Sequence, residues 1–185
     1  MKSISTEISD LKIIQPDVFT DERGYFMETF NLKKYQAAGI KDDFVQDNVS
    51  LSKKGVLRGL HMQKEPYAQG KLVSVIKGAV LDVAVDARPY SQTLGRWLSV
   101  ELTEENKKQF WIPPGFLHGF LSLKDETIFA YKCTGFYHQD SEKSVVWNDE
   151  TLHIDWLLEK YGISRPLLSS KDEKAETFQK LIQEL

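Results

Sequence analysis

Short runs of alternating apolar and polar residues, rich in β-branched and aromatic side chains, fill the first 150 positions of the chain. The pattern predicts strands at Lys12–Phe19, Gly24–Phe30, Phe44–Ser50, Val56–Met62, Lys71–Lys77, Ala79–Asp86, Arg96–Leu102, Gln109–Ile112, Gly119–Leu123 and Thr127–Thr134. Turn-forming residues separate them, as at Asp21–Gly24, Lys53–Gly55, Pro89–Gly95, Pro113–Gly115 and Lys124–Glu126. About ten strands at this spacing point to an antiparallel sandwich or barrel, not to alternating strands and helices. Asn31–Ala38 is the one helix this stretch predicts, stopped by Gly39. Beyond residue 170 the period changes. Ala175, Phe178, Leu181, Ile182 and Leu185 recur at helical spacing behind a Ser170/Glu173 capping box, so an amphipathic helix is expected over 172–184. Neither a repeat nor a linker interrupts the pattern, and residues 1–185 read as a single β domain with a helical tail.

Within the run Leu81–Asp86, Leu81, Val83 and Val85 fall on one face of a strand and Asp82, Ala84 and Asp86 on the other. Carboxylates turned into an apolar barrel need partners or a ligand, and a barrel mouth is a natural pocket.

Composition narrows the function. With 24 Lys and Arg against 27 Asp and Glu, the formal charge is −3, which argues against nucleic acid or an anionic membrane surface as a general partner. A single cysteine, Cys133, rules out an internal disulfide framework. No apolar stretch approaches the ~20 residues of a membrane helix, and Met1–Gln15 lacks the apolar core of a signal peptide, so a cytoplasmic location is expected.

Two histidines lie in turn-flanked strands near basic residues: His61, in Arg58-Gly59-Leu60-His61, and His118, in Pro113-Pro114-Gly115-Phe116-Leu117-His118. Imidazoles there are candidates for acid–base work, whereas His138 and His153 read as surface-loop residues. The Pro-x-Gly-x-x-His run resembles the second signature of the cupin β-barrels. In metal cupins the first signature is His-x-His; here His61-Met62-Gln63 lacks its second histidine, so the resemblance implies a metal-free site.

A narrower resemblance spans residues 21–172. Asp21–Glu28, Gln46-Asp47-Asn48, Leu57–His61, Gln69–Val73, Asp82–Asp86, Pro113–His118, Tyr131–Thr134 and Leu168–Asp172 resemble, in order, blocks of the dTDP-4-dehydrorhamnose 3,5-epimerase family, non-metal cupins. The resemblance implies a cupin-type jelly-roll fold and a cofactor-free isomerase. The substrate would be dTDP-4-dehydro-6-deoxy-D-glucose, inverted at carbons 3 and 5 within dTDP-L-rhamnose biosynthesis. Carbons next to a ketone lose protons because the charge spreads onto oxygen as an enolate. Such a site needs a base, an acid on the opposite face, and a cation at the enolate oxygen.

By that resemblance His61 is the base, Asp172 orients and charges it, Tyr131 is the acid and Lys71 is the cation. Each has another use on residue type alone. Asp172 would also suit the first turn of a helix, Tyr131 a strand core, and Lys71 an edge strand. Arg23 and Arg58 are matched to the diphosphate, and Phe26 with Glu28 to the thymine. Gln46, Asn48, His118, Glu142 and Lys171 are matched to further substrate contacts. The family pattern also implies a homodimer whose N-terminal residues serve the neighbouring subunit's site. Alternatives are a single-carbon epimerase or ketoisomerase on the same scaffold, a non-catalytic sugar-nucleotide-binding cupin and a metal-dependent enzyme.

Overall fold

The computed structural model describes residues 1–185 and contains two antiparallel sheets and a short ribbon. The first sheet has the order β1 (Lys2–Ser5), β2 (Lys12–Gln15), β10 (Gln109–Ile112), β7 (Lys71–Lys77), β12 (Thr127–Cys133) and β5 (Gln46–Ser52). The second runs β13 (Glu142–Ser144), β6 (Leu57–Gln63), β11 (Phe116–Ser122), β8 (Ala79–Asp86) and β9 (Trp97–Thr103). β3 (Val18–Asp21) and β4 (Gly24–Met27) pair only with each other. This is the two-sheet β architecture that the strand spacing and the resemblance imply.

Three apolar layers hold it together. Between the sheets, Val73, Val75, Phe110 and Phe129 meet Val80, Val100, Leu102 and Phe120. Outside the second sheet, the C-terminal third of the chain lays Leu152, Trp156, Ile163, Phe178 and Leu181 over Leu81, Val83, Val85 and Leu117. Outside the first, α1 (Leu32–Ala37) sets Tyr35 against Ile14, Leu72 and Trp111. The second sheet is therefore covered on both faces, and every residue of β8 is buried. The alternation in its sequence separates two apolar layers rather than core from solvent. Asp82 and Asp86 are the exceptions, and each has partners: His118 for Asp82; Arg88, Ser91 and Thr93 for Asp86.

Several expectations are corrected. The strand expected over Lys12–Phe19 breaks at Pro16, which has no N–H for a ladder, into β2 and β3. The strand expected from Gly119 begins at Phe116, so His118 lies inside β11. β1 and β13 went unread; both are too short for alternation to register.

The helix expected over 172–184 is two helices, α2 (Ser170–Glu173) and α3 (Phe178–Glu184), capped by the hydroxyls of Ser169 and Thr177. Between them Glu176 exchanges backbone hydrogen bonds with Ser144 and Val146. Pairing beside β13 outweighs helix periodicity there, and it turns α2 towards β6. α1 forms as read, with the Asn31 side chain accepting from the Lys34 N–H.

Candidate active site

β6 and β11 carry the two histidines across from each other, His61 opposite His118. Just before this pair the ladder slips by one residue. Gly59 makes the slip possible: it has φ +127°, and a Cβ there would lie 2.5 Å from the Gly119 Cα. The two backbones touch where any side chain would hold them apart.

The mouth between the sheets is a cavity of about 420 Å³. His61, Lys71, Tyr131 and Asp172 all line it, as do Arg58, His118 and Lys171. His61 Nε2 lies 2.6 Å from Asp172 Oδ1. Asp172 is buried, with its N–H bonded to the Ser169 hydroxyl and its carboxylate reached by the Gly59 backbone. Burial by itself would raise the Asp172 carboxyl, but the hydrogen bond and charge of His61 outweigh it and hold the group below the usual carboxylate range. With Nε2–H donated to a carboxylate, Nδ1 of His61 keeps its lone pair and is the basic nitrogen.

Lys71 and Tyr131 come from neighbouring strands, β7 and β12, with Tyr131 opposite Val73. Burial pulls the Lys71 ammonium down from its ordinary value, opposed by Cys133, Glu142 and Asp82. Burial pushes the Tyr131 phenol up, so it carries its proton at neutral pH. His118 sits deeper, with Nε2 3.1 and 3.0 Å from the two oxygens of Asp82. Burial lowers His118 and raises Asp82, drawing both towards their neutral forms.

At the rim, Lys171 Nζ meets Glu142 at 2.5 Å, and Tyr137 donates its hydroxyl to the same carboxylate at 2.9 Å. The Tyr137 N–H goes to Gln46 Oε1, and Gln46 Nε2 to Asn48. Gln46, Asn48, Glu142 and Lys171 are thus one connected group. Tyr137, which joins them, escaped the sequence reading because nothing local marks it in its loop. Its place next to His138 could have prompted the question: His138 is no free surface residue but stacks flat on Tyr67, centroids 3.7 Å apart.

Arg23, Phe26 and Glu28 are not brought to this cavity. They ride on the β3–β4 ribbon and the turn after it, where Arg23 pairs with Asp21 and Glu28 with Lys34. Phe26 is 69% exposed.

The model of the dTDP-4-dehydrorhamnose 3,5-epimerase family matches residues 5–180. The chain belongs to this family. It is 52% identical to the dTDP-4-dehydrorhamnose 3,5-epimerase of Shigella flexneri, over 96% of each chain. Identity to the enzyme of the same description from Escherichia coli K12 is 50%, over 98% of this chain and 97% of that one. Among solved structures, the dTDP-6-deoxy-D-glucose-3,5-epimerase of Legionella pneumophila, in complex with dTDP-4-keto-L-rhamnose, superposes with a TM-score of 0.91. That alignment is 52% identical and covers 96% of this epimerase-family chain and 93% of the other.

Proposed function

We propose that this member of the epimerase family inverts carbons 3 and 5 of dTDP-4-dehydro-6-deoxy-D-glucose, yielding dTDP-4-dehydro-L-rhamnose for dTDP-L-rhamnose synthesis. The machinery is His61, Asp172, Lys71 and Tyr131, acting in a single cytoplasmic domain without a cofactor. One observation carries this reading: a buried carboxylate 2.6 Å from an imidazole, in a cavity that also holds a half-buried lysine and a protonated phenol.

His61 Nδ1 takes the proton from carbon 3. The C–H pair becomes the carbon 3–carbon 4 double bond, and the carbonyl pair moves onto oxygen. Asp172 stabilises the imidazolium so formed, and Lys71 the enolate oxygen. Tyr131 then gives its proton to carbon 3 from the other face, and the double bond collapses back to the ketone. Phenolate and imidazolium are returned to their starting forms through solvent, and the same steps invert carbon 5. Arg58 and Lys171 are the cations for the diphosphate, with His118 and the Gln46–Asn48–Glu142 group as further contacts.

The partner is a second copy of the chain. The β3–β4 ribbon leaves Phe19, Tyr25 and Phe26 exposed. β5 is inverted, with Gln46, Asn48, Ser50 and Ser52 turned inward while Val45, Val49 and Leu51 face out, Val49 at 68% exposure. A face of that kind is normally covered. In such a dimer Arg23, Phe26 and Glu28 complete the neighbour's site.

The test is turnover of dTDP-4-dehydro-6-deoxy-D-glucose in heavy water, followed by mass spectrometry and proton NMR. Deuterium is expected at carbons 3 and 5. Label at one carbon only would replace this reading with a single-carbon epimerase. Absence of exchange despite dTDP binding would leave a binding protein.

A further inference from the structure

Gln63 ends β6 two residues beyond His61 and is buried, yet its side chain bonds none of the reacting groups. Its Nε2 donates to two backbone carbonyls, Tyr67 at 2.6 Å and Phe136 at 3.2 Å, while its Oε1 accepts from the His138 N–H at 2.8 Å. Two donors and one acceptor, aimed at two oxygens and one N–H, fix which end of the amide is which. These partners lie in different loops: 64–70 joins β6 to β7, and 134–138 follows β12.

Other contacts join the same loops, among them a backbone bond from the Thr134 N–H to the Gly70 carbonyl at 3.0 Å. Gln69 Nε2 donates to the Gly135 carbonyl at 2.5 Å, the Gly70 N–H donates to the Thr134 hydroxyl at 2.8 Å, and Tyr67 stacks on His138. Gln63 is the one side chain among them that reaches both neighbours of Tyr137, Phe136 and His138. Tyr137 in turn bonds Gln46 and Glu142, and Glu142 holds Lys171 on the cavity rim. The chain of contacts from Gln63 therefore ends at Lys171, assigned above to the diphosphate, and at the Gln46–Asn48–Glu142 group of further substrate contacts, not at His61, Asp172, Lys71 or Tyr131.

We propose that Gln63 is a positioning residue that locks the two loops into one wall at the nucleotide end of the cavity, and so sets affinity for the nucleotide rather than the rate of proton transfer. This rests on the reading given under the proposed function.

Gln63→Met keeps the length and removes all three hydrogen bonds. Each net bond is worth a factor of a few, so the expected result is a rise of about tenfold in KM for the sugar nucleotide and in Kd for dTDP. The kcat value should stay within about threefold, since buried hydrogen bonds elsewhere keep the reacting groups in place. Gln69→Ala loosens the same loops at another bond, and the same split, smaller in size, is expected. It decides the matter if Gln63→Met does not fold. Unchanged dTDP affinity in a folded variant, or a kcat loss with KM untouched, would overturn the proposal. If wild-type protein neither binds dTDP nor exchanges protons with heavy water, the functional reading falls and takes this one with it. If wild type does both and the variants bind dTDP as tightly, only the role of Gln63 falls.

Discussion

Asp172→Asn isolates the electrostatic share of the site. The substitution keeps the size of the side chain and the Ser169 cap on its backbone, and it removes one negative charge 2.6 Å from His61 Nε2. In the resting enzyme little is lost, because a neutral imidazole can still hydrogen-bond an amide oxygen. In the transition state the imidazole is becoming a cation, and the missing charge is felt there. A hydrogen bond to a charged group contributes about 1.5–3 kcal/mol, and each 1.36 kcal/mol is tenfold in rate, so kcat should fall on the order of 10- to 150-fold. The assay is the rate of deuterium entry at carbons 3 and 5 from heavy water, alongside dTDP affinity by calorimetry. Affinity should stay within twofold, because Asp172 faces the base. The pH dependence follows from the same bond. The folded-state pKa of Asp172 lies below its unfolded value, so its contribution to stability is present above about pH 4 and disappears as pH falls through the folded value. The variant should lack that component of acid sensitivity. A variant with kcat within twofold of wild type, or one that loses dTDP affinity in step with rate, would refute the reasoning.

Asp86 offers a second pH prediction, separate from catalysis. It is fully buried, and bonds from Arg88, Ser91 and Thr93 overcome the burial penalty and hold its pKa at about 2. The lowered value means the stabilisation is complete above the unfolded pKa near 3.8 and is lost between there and about 2. Asp86→Asn should therefore cost about 2 kcal/mol in urea unfolding at pH 7 and almost nothing near pH 2; an equal cost at both pH values would exclude the linkage. For the assembly, light scattering should give a mass near twice 21.3 kDa, and a fully active monomer would contradict the shared site.

The strand pattern was legible because most strands have one apolar face, and the breaks fell at residues whose backbone chemistry forces them. The errors have a common origin in contacts distant along the chain. Glu176 sits in a good helical pattern and leaves it only because Ser144 and Val146 offer strand hydrogen bonds. β13 owes its existence to β6, not to its own three residues. For the site, His61, Lys71 and Tyr131 could be placed on strands from sequence, but their meeting in one cavity could not. The reach of Asp172 to His61, across 111 positions, was accessible only through resemblance. Gln63 shows the opposite case: its residue type was noted for the histidine it replaces, while the use of its amide emerged only with the loops around it.

The placement of Asp172 late in the chain also bears on biosynthesis. The remaining parts of the reacting group, His61, Lys71 and Tyr131, belong to strands completed by residue 133. The carboxylate follows nearly forty residues later, on a four-residue helix held by the Ser169 cap and flanked by the pairing of Glu176. Domains form as the ribosome delivers them, amino-terminal parts first. A chain that has reached residue 133 holds the strands of His61, Lys71 and Tyr131 but lacks both Asp172 and the apolar layer that covers the second sheet. The pairing of His61 with a carboxylate therefore waits until residue 172 has been made. A chain ending before Ser169 would keep every strand and lose the carboxylate beside His61, so its rate should fall at least as far as that of Asp172→Asn.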